Sequence, residues 1–148
     1  MSKPNSADLT FGGTWKYEPQ WFQSSYGTLH YIDEGDKNND PIVLVHGNPG
    51  WGYLYRNFID PLVSQGFRVI APDHLGFGFS DKMASIDLNR VDSHAARFSD
   101  LMDHLQLSNV TMVVHDWGGP IAMKWAVDHP DKIKRLVIMD TILFPIPQ

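Results

Sequence analysis

The chain has 148 residues, the usual size of one domain and enough to bury a core, and its charged content is that of an ordinary globular protein. Its formal net charge of -5 argues against a nucleic-acid partner or an anionic membrane surface, and the absence of cysteine excludes disulfides and thiolate chemistry. No apolar run approaches the roughly 20 residues that a membrane helix needs, and residues 1–14 lack a secretory apolar segment, so we expect a cytoplasmic protein with no membrane association.

Short apolar runs alternate with amphipathic segments along most of the chain. Continuous apolar runs of four or five residues are typical of buried parallel strands, whereas apolar side chains at helical spacing indicate helices. Pro61 is a candidate kink in the first helix, and residues 72–87 are expected to form a long loop. In chain order, the sequence predicts strands at 15–17, 29–32 and 42–45, a helix at 53–64, a strand at 67–71, a helix at 89–107, a strand at 110–114, a helix at 121–127 and a strand at 136–139.

Strands that alternate with helices predict an α/β fold with a mostly parallel, doubly wound sheet and helices on both faces. We expect residues 14–148 to form one such domain and residues 1–13 to be a loose N-terminal arm. Ligands of these sheets bind at the carboxyl ends of the strands. Three predicted strand ends carry polar residues: His46 to Pro49, Asp73 with His74, and His115 to Trp117.

Asp116 stands where an apolar strand stops and a glycine-bearing helix begins, the arrangement of a nucleophile elbow. A carboxylate in that place can attack carbon and form an ester with the enzyme. Gly118 and Gly119 would let the helix pack closely on the strand, and a helix N-terminus favours negative charge. The competing interpretation is that Asp116 only caps the helix.

Asn48 and Trp117 are candidate donors to a departing anion, because one carries a side-chain amide and the other an indole N–H. Their backbone N–H groups are further candidates. Asn48 could instead be a turn residue before Pro49, and Trp117 a plain core aromatic. Beside an elbow aspartate, we favour the donor interpretation for both.

Other motifs predict structural roles rather than ligand binding. The glycine-rich loop at 76–80 lacks the third glycine of a dinucleotide fingerprint, since Asp81 stands there, and predicts a tight loop. The seven histidines show neither H-x-x-x-H nor H-E-x-x-H spacing, so no metal site is expected. His46 and His115 precede the turn residues at their strand ends, which predicts structural hydrogen bonds for both.

Three segments together resemble the haloalkane dehalogenases of the α/β-hydrolase superfamily: residues 46–57 (HGNPGWGYLYRN), 71–82 (APDHLGFGFSDK) and 114–119 (VHDWGG). The resemblance runs from about Trp15 to the end of the chain and implies the N-terminal part of that fold. It implies that Asp116 attacks the halogen-bearing carbon of a small haloalkane, and that halide leaves toward Asn48 and Trp117. A histidine-activated water then hydrolyses the alkyl ester, and no metal or organic cofactor is implied.

The resemblance also implies parts that the 148 residues do not carry. The family's helical cap would begin near residues 144–148, and its last strands and base histidine would follow, so we expect a truncated domain that stalls at the ester. Asp140 is a candidate orienting acid, with a strand-end turn residue as the equal alternative. His129, before a proline at a helix end, is not assigned the base role.

Two other functions stay open on the sequence. Epoxide hydrolases share the H-D-W-G-G motif, although the Asn48 segment favours dehalogenases. A non-catalytic fragment or binding module that retains the fold is the alternative from another class. An unpaired strand at 136–139 predicts self-association or a complementing chain, because open apolar edges favour pairing.

Overall fold

A computed structural model of the protein describes residues 10–143. The described chain forms a six-stranded sheet in the order β1-β2-β4-β3-β5-β6. Strands β4, β3, β5 and β6 run parallel to one another, whereas β2 is antiparallel to both of its neighbours. The strands are β1 Gln20–Ser24, β2 Gly27–Glu34, β3 Pro41–Val45, β4 Arg68–Pro72, β5 Val110–Asp116 and β6 Ile133–Thr141.

Helices cover both faces of the sheet, which confirms the predicted doubly wound α/β architecture. Three are α-helices: α1 Arg56–Ser64, α2 Val91–Leu105 and α3 Gly118–Asp128. Three short 3-10 turns complete the described elements: Gly52–Tyr55, Ile86–Leu88 and Pro130–Lys132. None of the helices in residues 10–143 is long and apolar enough to cross a membrane.

The strand β3 shows how the core divides into two layers, because its successive side chains point to opposite faces. Val43 and Val45 pack in the layer that contains α2 and α3, whereas Ile42 and Leu44 pack in the layer that contains α1. All four side chains are buried, as the continuous apolar run predicts for a strand covered on both faces.

The predicted strand at 15–17 is wrong, since the first strand begins at Gln20. Trp15 and Tyr17 are buried instead as a cover over the α1 face, with their rings 4.9 Å apart in an edge-on arrangement. The Tyr17 hydroxyl donates to the carbonyl oxygen of Arg56 at 3.1 Å. Two buried aromatics separated by one residue produce the alternation of a strand, although this segment pairs with no neighbour.

The other elements differ from prediction mainly at their ends. The first predicted helix begins as a 3-10 turn and becomes α-helical at Arg56, with Pro61 inside it. Both β6 and α3 are longer than predicted, and α2 is shorter by two residues at each end. The predicted arm at 1–13 falls mostly outside the described residues; residues 10–13 form a hydrogen-bonded turn, and the ring of Phe11 lies against Trp51.

Candidate active site

Asp116 is the last residue of β5 and has a φ of 52°, in the left-handed region that few side chains occupy. Trp117 returns at once to helical angles, and α3 begins at the next residue. A single strained residue therefore turns the chain from strand to helix, and such strain is characteristic of functional sites. The structure has the predicted elbow geometry.

Glycines make this close packing possible. A Cβ on Gly118 would lie 2.7 Å from the carbonyl oxygen of His46, and one on Gly119 would overlap the Thr141 hydroxyl. A Cβ on Gly47 would lie 2.5 Å from Cβ of Asp116 and 2.7 Å from its Cγ. The sequence predicted that Gly118 and Gly119 let the helix pack closely on the strand. It did not single out Gly47, because Asp116, the residue that Gly47 contacts, lies 69 positions further along the chain.

The Asp116 carboxylate accepts one hydrogen bond from the rest of residues 10–143, a 2.8 Å contact from the backbone N–H of Asn48 to Oδ1. The Thr141 hydroxyl donates to the Asp116 carbonyl oxygen, which ties the elbow to β6. Asp116 is half-buried. One carboxylate oxygen is thus held, while the other has no partner within the described chain.

Asn48 and Trp117 both line a cleft of about 1130 Å³ beside the elbow. Both are exposed, and Trp117 keeps 46% of its surface accessible, which excludes a plain core role for it. The cleft extends between α2 and α3, and residues that line it include His74, Phe77, His94 and Ile121. The Asn48 backbone N–H is committed to Asp116, so the side-chain amide is its free donor.

Asp73, at the end of β4, has a structural environment that sequence reasoning did not anticipate. Its fully buried carboxylate accepts from the backbone N–H of Gly52 at 2.7 Å and of Phe79 at 2.9 Å. The Nδ1 atom of His30 contacts the same carboxylate at 2.9 Å. Asp73 therefore joins β2, the segment after Asn48 and the glycine-rich loop, which confirms that loop as a tight structural turn.

His46 and His74 connect the carboxyl ends of β3 and β4. His46 Nδ1 donates to the carbonyl oxygen of Gly47, and its Nε2 accepts from the backbone N–H of His74 at 3.0 Å. His74 Nε2 returns a 2.9 Å bond to the His46 carbonyl oxygen. Burial lowers the pKa of both rings, that of His74 well below its usual value, so both are neutral at pH 7.

The remaining candidate residues make fewer contacts at the site. Asp140 is exposed on β6, one residue before the Thr141 that pairs with Asp116, with a φ of 37°. His115 Nδ1 is buried without a partner among the described residues, so the structural bond predicted for it is absent at that atom. His129 is held at the end of α3 by its own helix, through the Trp125 carbonyl oxygen. No cluster of three potential metal ligands occurs in residues 10–143.

Known proteins resemble this chain in sequence. It is 42% identical over 129 residues to haloalkane dehalogenase 2 of Mycobacterium tuberculosis, which covers 87% of this chain and 44% of the relative. It is 46% identical over 125 residues to a cis-3-alkyl-4-alkyloxetan-2-one decarboxylase of Shewanella oneidensis, covering 80% of this chain and 37% of the relative. The chain thus spans less than half the length of these relatives.

Solved structures resemble it in the same way. The tetrameric haloalkane dehalogenase DpaA from Paraglaciecola agarilytica superposes with a TM-score of 0.85 at 34% identity, over 91% of this chain and 48% of that one. A thioesterase domain from the curacin biosynthetic pathway, 22% identical with a TM-score of 0.82, shares the fold. A sequence profile described as the alpha/beta hydrolase fold matches residues 40–147. The chain belongs to the α/β-hydrolase fold family, and its similarity within that family includes the haloalkane dehalogenases.

Proposed function

We propose that this protein acts as a haloalkane dehalogenase, with Asp116 as the nucleophile. The observation that carries the proposal is the asymmetric carboxylate, one oxygen held by Asn48 and the other without a partner in residues 10–143. Such a carboxylate has a fixed direction of attack and a reactive lone pair. Similarity to haloalkane dehalogenases supports the substrate class, and it does not favour the epoxide hydrolase or non-catalytic alternatives.

In the proposed reaction, an Asp116 oxygen forms a bond to the alkyl carbon as the carbon–halogen bond breaks. The halide leaves with the bonding electron pair, and the charge of the carboxylate passes to it. The Asn48 amide and the Trp117 indole N–H, on two residues that line the cleft, stabilise this developing anion. The product of the step is a neutral ester on Asp116 and a free halide, with no oxidant, metal or organic cofactor.

Hydrolysis of that ester needs a base and a water. We propose Asp140 as the acid that would orient such a base, since it stands at the same sheet edge as Asp116. Within residues 10–143, no histidine ring hydrogen-bonds to the Asp116 carboxylate. We therefore expect the 148-residue chain to form the ester and to accumulate it.

Intact mass spectrometry after incubation with 1-bromobutane tests this proposal. The expected result is one added butyl group per chain and one equivalent of bromide released. Asp116→Asn should show neither, while Asp140→Asn should still form the adduct. An unmodified chain with a folded circular dichroism spectrum would contradict the alkylation step, and bromide release over many turnovers would contradict the stalling.

The decarboxylase relative favours a second candidate, because its 46% identity is slightly higher than the 42% and 45% of two of the dehalogenases. In that case the substrate would be a four-membered lactone with two cis alkyl groups, and carbon dioxide would be released. Incubation with such a lactone distinguishes the two candidates. Carbon dioxide without reaction toward bromoalkanes would replace the dehalogenase assignment.

We also propose that the protein is cytoplasmic and that residues 14–148 form a single domain.

We propose further that β6 mediates self-association or pairs with a complementing chain. Three apolar side chains of β6 support this, because large fractions of their surfaces are exposed: Leu136 40%, Val137 41% and Ile138 51%. Size-exclusion chromatography should show oligomers that Val137→Lys reduces. A wild-type monomer at all concentrations would contradict self-association.

A further inference from the structure

The backbone N–H that holds the Asp116 carboxylate belongs to Asn48, in the loop that leaves β3. It donates to Oδ1 of Asp116 at 2.8 Å. The Asn48 residue is exposed, and Pro49 after it has no N–H to anchor the chain. The direction of the Asn48 N–H therefore depends on how the backbone of His46 and Gly47, just before it, is held.

One planar peptide group carries both the Asn48 N–H and the Gly47 carbonyl. Because this peptide bond is trans, the N–H and the carbonyl point in opposite directions and can turn only together. The Nδ1 atom of His46 donates to the Gly47 carbonyl oxygen at 2.8 Å. A fixed His46 ring therefore fixes the direction in which the Asn48 N–H points.

His74 holds His46 at two points, one on the ring and one on the backbone. The backbone N–H of His74 donates to the His46 Nε2 atom at 3.0 Å, and the His74 Nε2 atom donates to the His46 carbonyl oxygen at 2.9 Å. Both rings are buried, with their centroids 4.2 Å apart. Burial lowers the pKa of both, so both are neutral and the His46 Nε2 atom stays available as an acceptor.

The His46 carbonyl that His74 holds also lies against the elbow. A Cβ on Gly118 would lie 2.7 Å from this carbonyl oxygen, and Gly118 is the second residue after Asp116. A displaced His46 carbonyl would therefore disturb the nucleophile from two sides, through the start of α3 and through the Asn48 N–H.

We propose that His74 is a positioning residue for the Asp116 nucleophile. Its side-chain bond to the His46 carbonyl oxygen holds the loop so that the Asn48 N–H meets one carboxylate oxygen. Within residues 10–143, no hydrogen bond joins His74 to Asp116 itself. The expected effect on reactivity rests on the proposed role of Asp116, whereas the expected effect on the Asn48 N–H does not.

Two amide side chains of different length at position 74 test the proposal. Glutamine places its N–H groups near the histidine Nε2 position and can still donate to the His46 carbonyl, whereas asparagine is one methylene too short. In His74→Asn, the Asn48 amide proton should exchange with solvent at least about tenfold faster, measured by NMR. In His74→Gln, its rate should stay within about threefold of the wild-type rate. The Val43 amide, within β3, should exchange equally in all three chains.

Alkylation by 1-bromobutane provides the second measurement. In His74→Asn the maximal rate should fall by about 10–100-fold, because a misplaced nucleophile reacts slowly. The bromobutane concentration that gives half of that rate should change by less than about twofold, since binding in the cleft is not affected. His74→Gln should recover most of the rate.

Several results would overturn the proposal. These are a wild-type exchange rate at Asn48 in His74→Asn, equal losses of alkylation rate in the two variants, and equally faster exchange at Asn48 and Val43. If His74→Asn does not fold, His74→Leu replaces it, and failure of both to fold would assign a structural role alone. A raised half-saturating concentration would assign a substrate contact, because His74 lines the cleft. If the wild-type chain is not alkylated, the dehalogenase proposal fails, and exchange at Asn48 alone decides whether His74 positions the loop.

Discussion

Asp73 and Asp116 stand at the carboxyl ends of neighbouring regions of one sheet, but their carboxylates have different surroundings. Asp73 is fully buried and receives donors from three segments of the chain. Asp116 is half-buried, has a strained backbone and receives one donor. Both follow an apolar strand, and both are adjacent to glycines. We expect the number of donors, rather than the position in the fold, to separate a carboxylate that holds loops together from one that is available to react.

The largest expected effects come from removing each charge in turn. Asp116→Asn should abolish alkylation while changing the free energy of unfolding by less than about 1 kcal/mol, since it loses one acceptor on a half-exposed group. Asp73→Asn should lower the free energy of unfolding by about 3–5 kcal/mol, because an amide cannot accept from three donors and the His30 contact loses its charge. Urea denaturation and intact mass measure the two effects.

The opposite pattern would contradict this comparison. A stable Asp73→Asn chain would show that its three donors are satisfied without the carboxylate. A strongly destabilised Asp116→Asn chain would show that the elbow carboxylate is a structural group. The exposed Asp81, which accepts one bond from the Thr28 backbone, is the matched control, and Asp81→Asn should cost about 1 kcal/mol.

An intermediate effect is expected at Gly47, where an added Cβ must displace the Asp116 side chain. Gly47→Ala should slow alkylation by about 10–100-fold, because a small misplacement of a nucleophile is costly. Gly50→Ala in the same loop is the control, since its nearest neighbour would be 3.5 Å away. Equal alkylation rates in the two variants, measured by mass spectrometry over time, would show that the contact at Gly47 does not position Asp116.

The smallest effect concerns pH. His46, His74 and His94 have lowered pKa values in the folded chain, so the unfolded chain binds more protons below its histidine pKa of about 6.5. The free energy of unfolding should therefore be highest above that pH and fall by about 1–3 kcal/mol toward pH 4. His94→Gln should flatten the decline, whereas the exposed His104→Gln on the same helix should not. A free energy of unfolding that does not change between pH 7 and pH 4 in the wild-type chain would contradict the lowered pKa values of these histidines.

Local patterns predicted most of the fold. The apolar runs at β3, β4 and β5 and the stripe of α2 follow rules of periodicity, and those elements are where the sequence placed them. The strand predicted at 15–17 was wrong, because two buried aromatic residues separated by one position give the same alternation of buried and exposed residues in a paired strand and in a segment that covers a helix. The predicted ends of helices and strands were wrong by one to three residues, because tertiary packing determines where these elements stop.

Residues of the site could be predicted from the sequence only where they lie within a short motif. Asp116, Asn48 and Trp117 came from short segments with a chemical rationale; in the structure Asn48 and Trp117 line one cleft, and the Asn48 backbone N–H donates to Asp116. Gly47, Thr141 and the donors of Asp73 were missed, since each depends on a contact between distant positions. The sequence pattern around one position contains no information on such pairs, so only the three-dimensional structure distinguishes Asp73 from Asp116.

The central claim is that Asp116 is the nucleophile, and peptide mapping of the alkylated chain tests it most directly. After incubation with 1-bromobutane, trypsin should release a peptide of residues 98–124 that carries the butyl group. This peptide also contains Asp100 and Asp103, so fragmentation of it decides among three carboxylates. We predict the ester at Asp116 alone. A butyl group on Asp100, Asp103 or any other peptide, with Asp116 unmodified, would contradict the account.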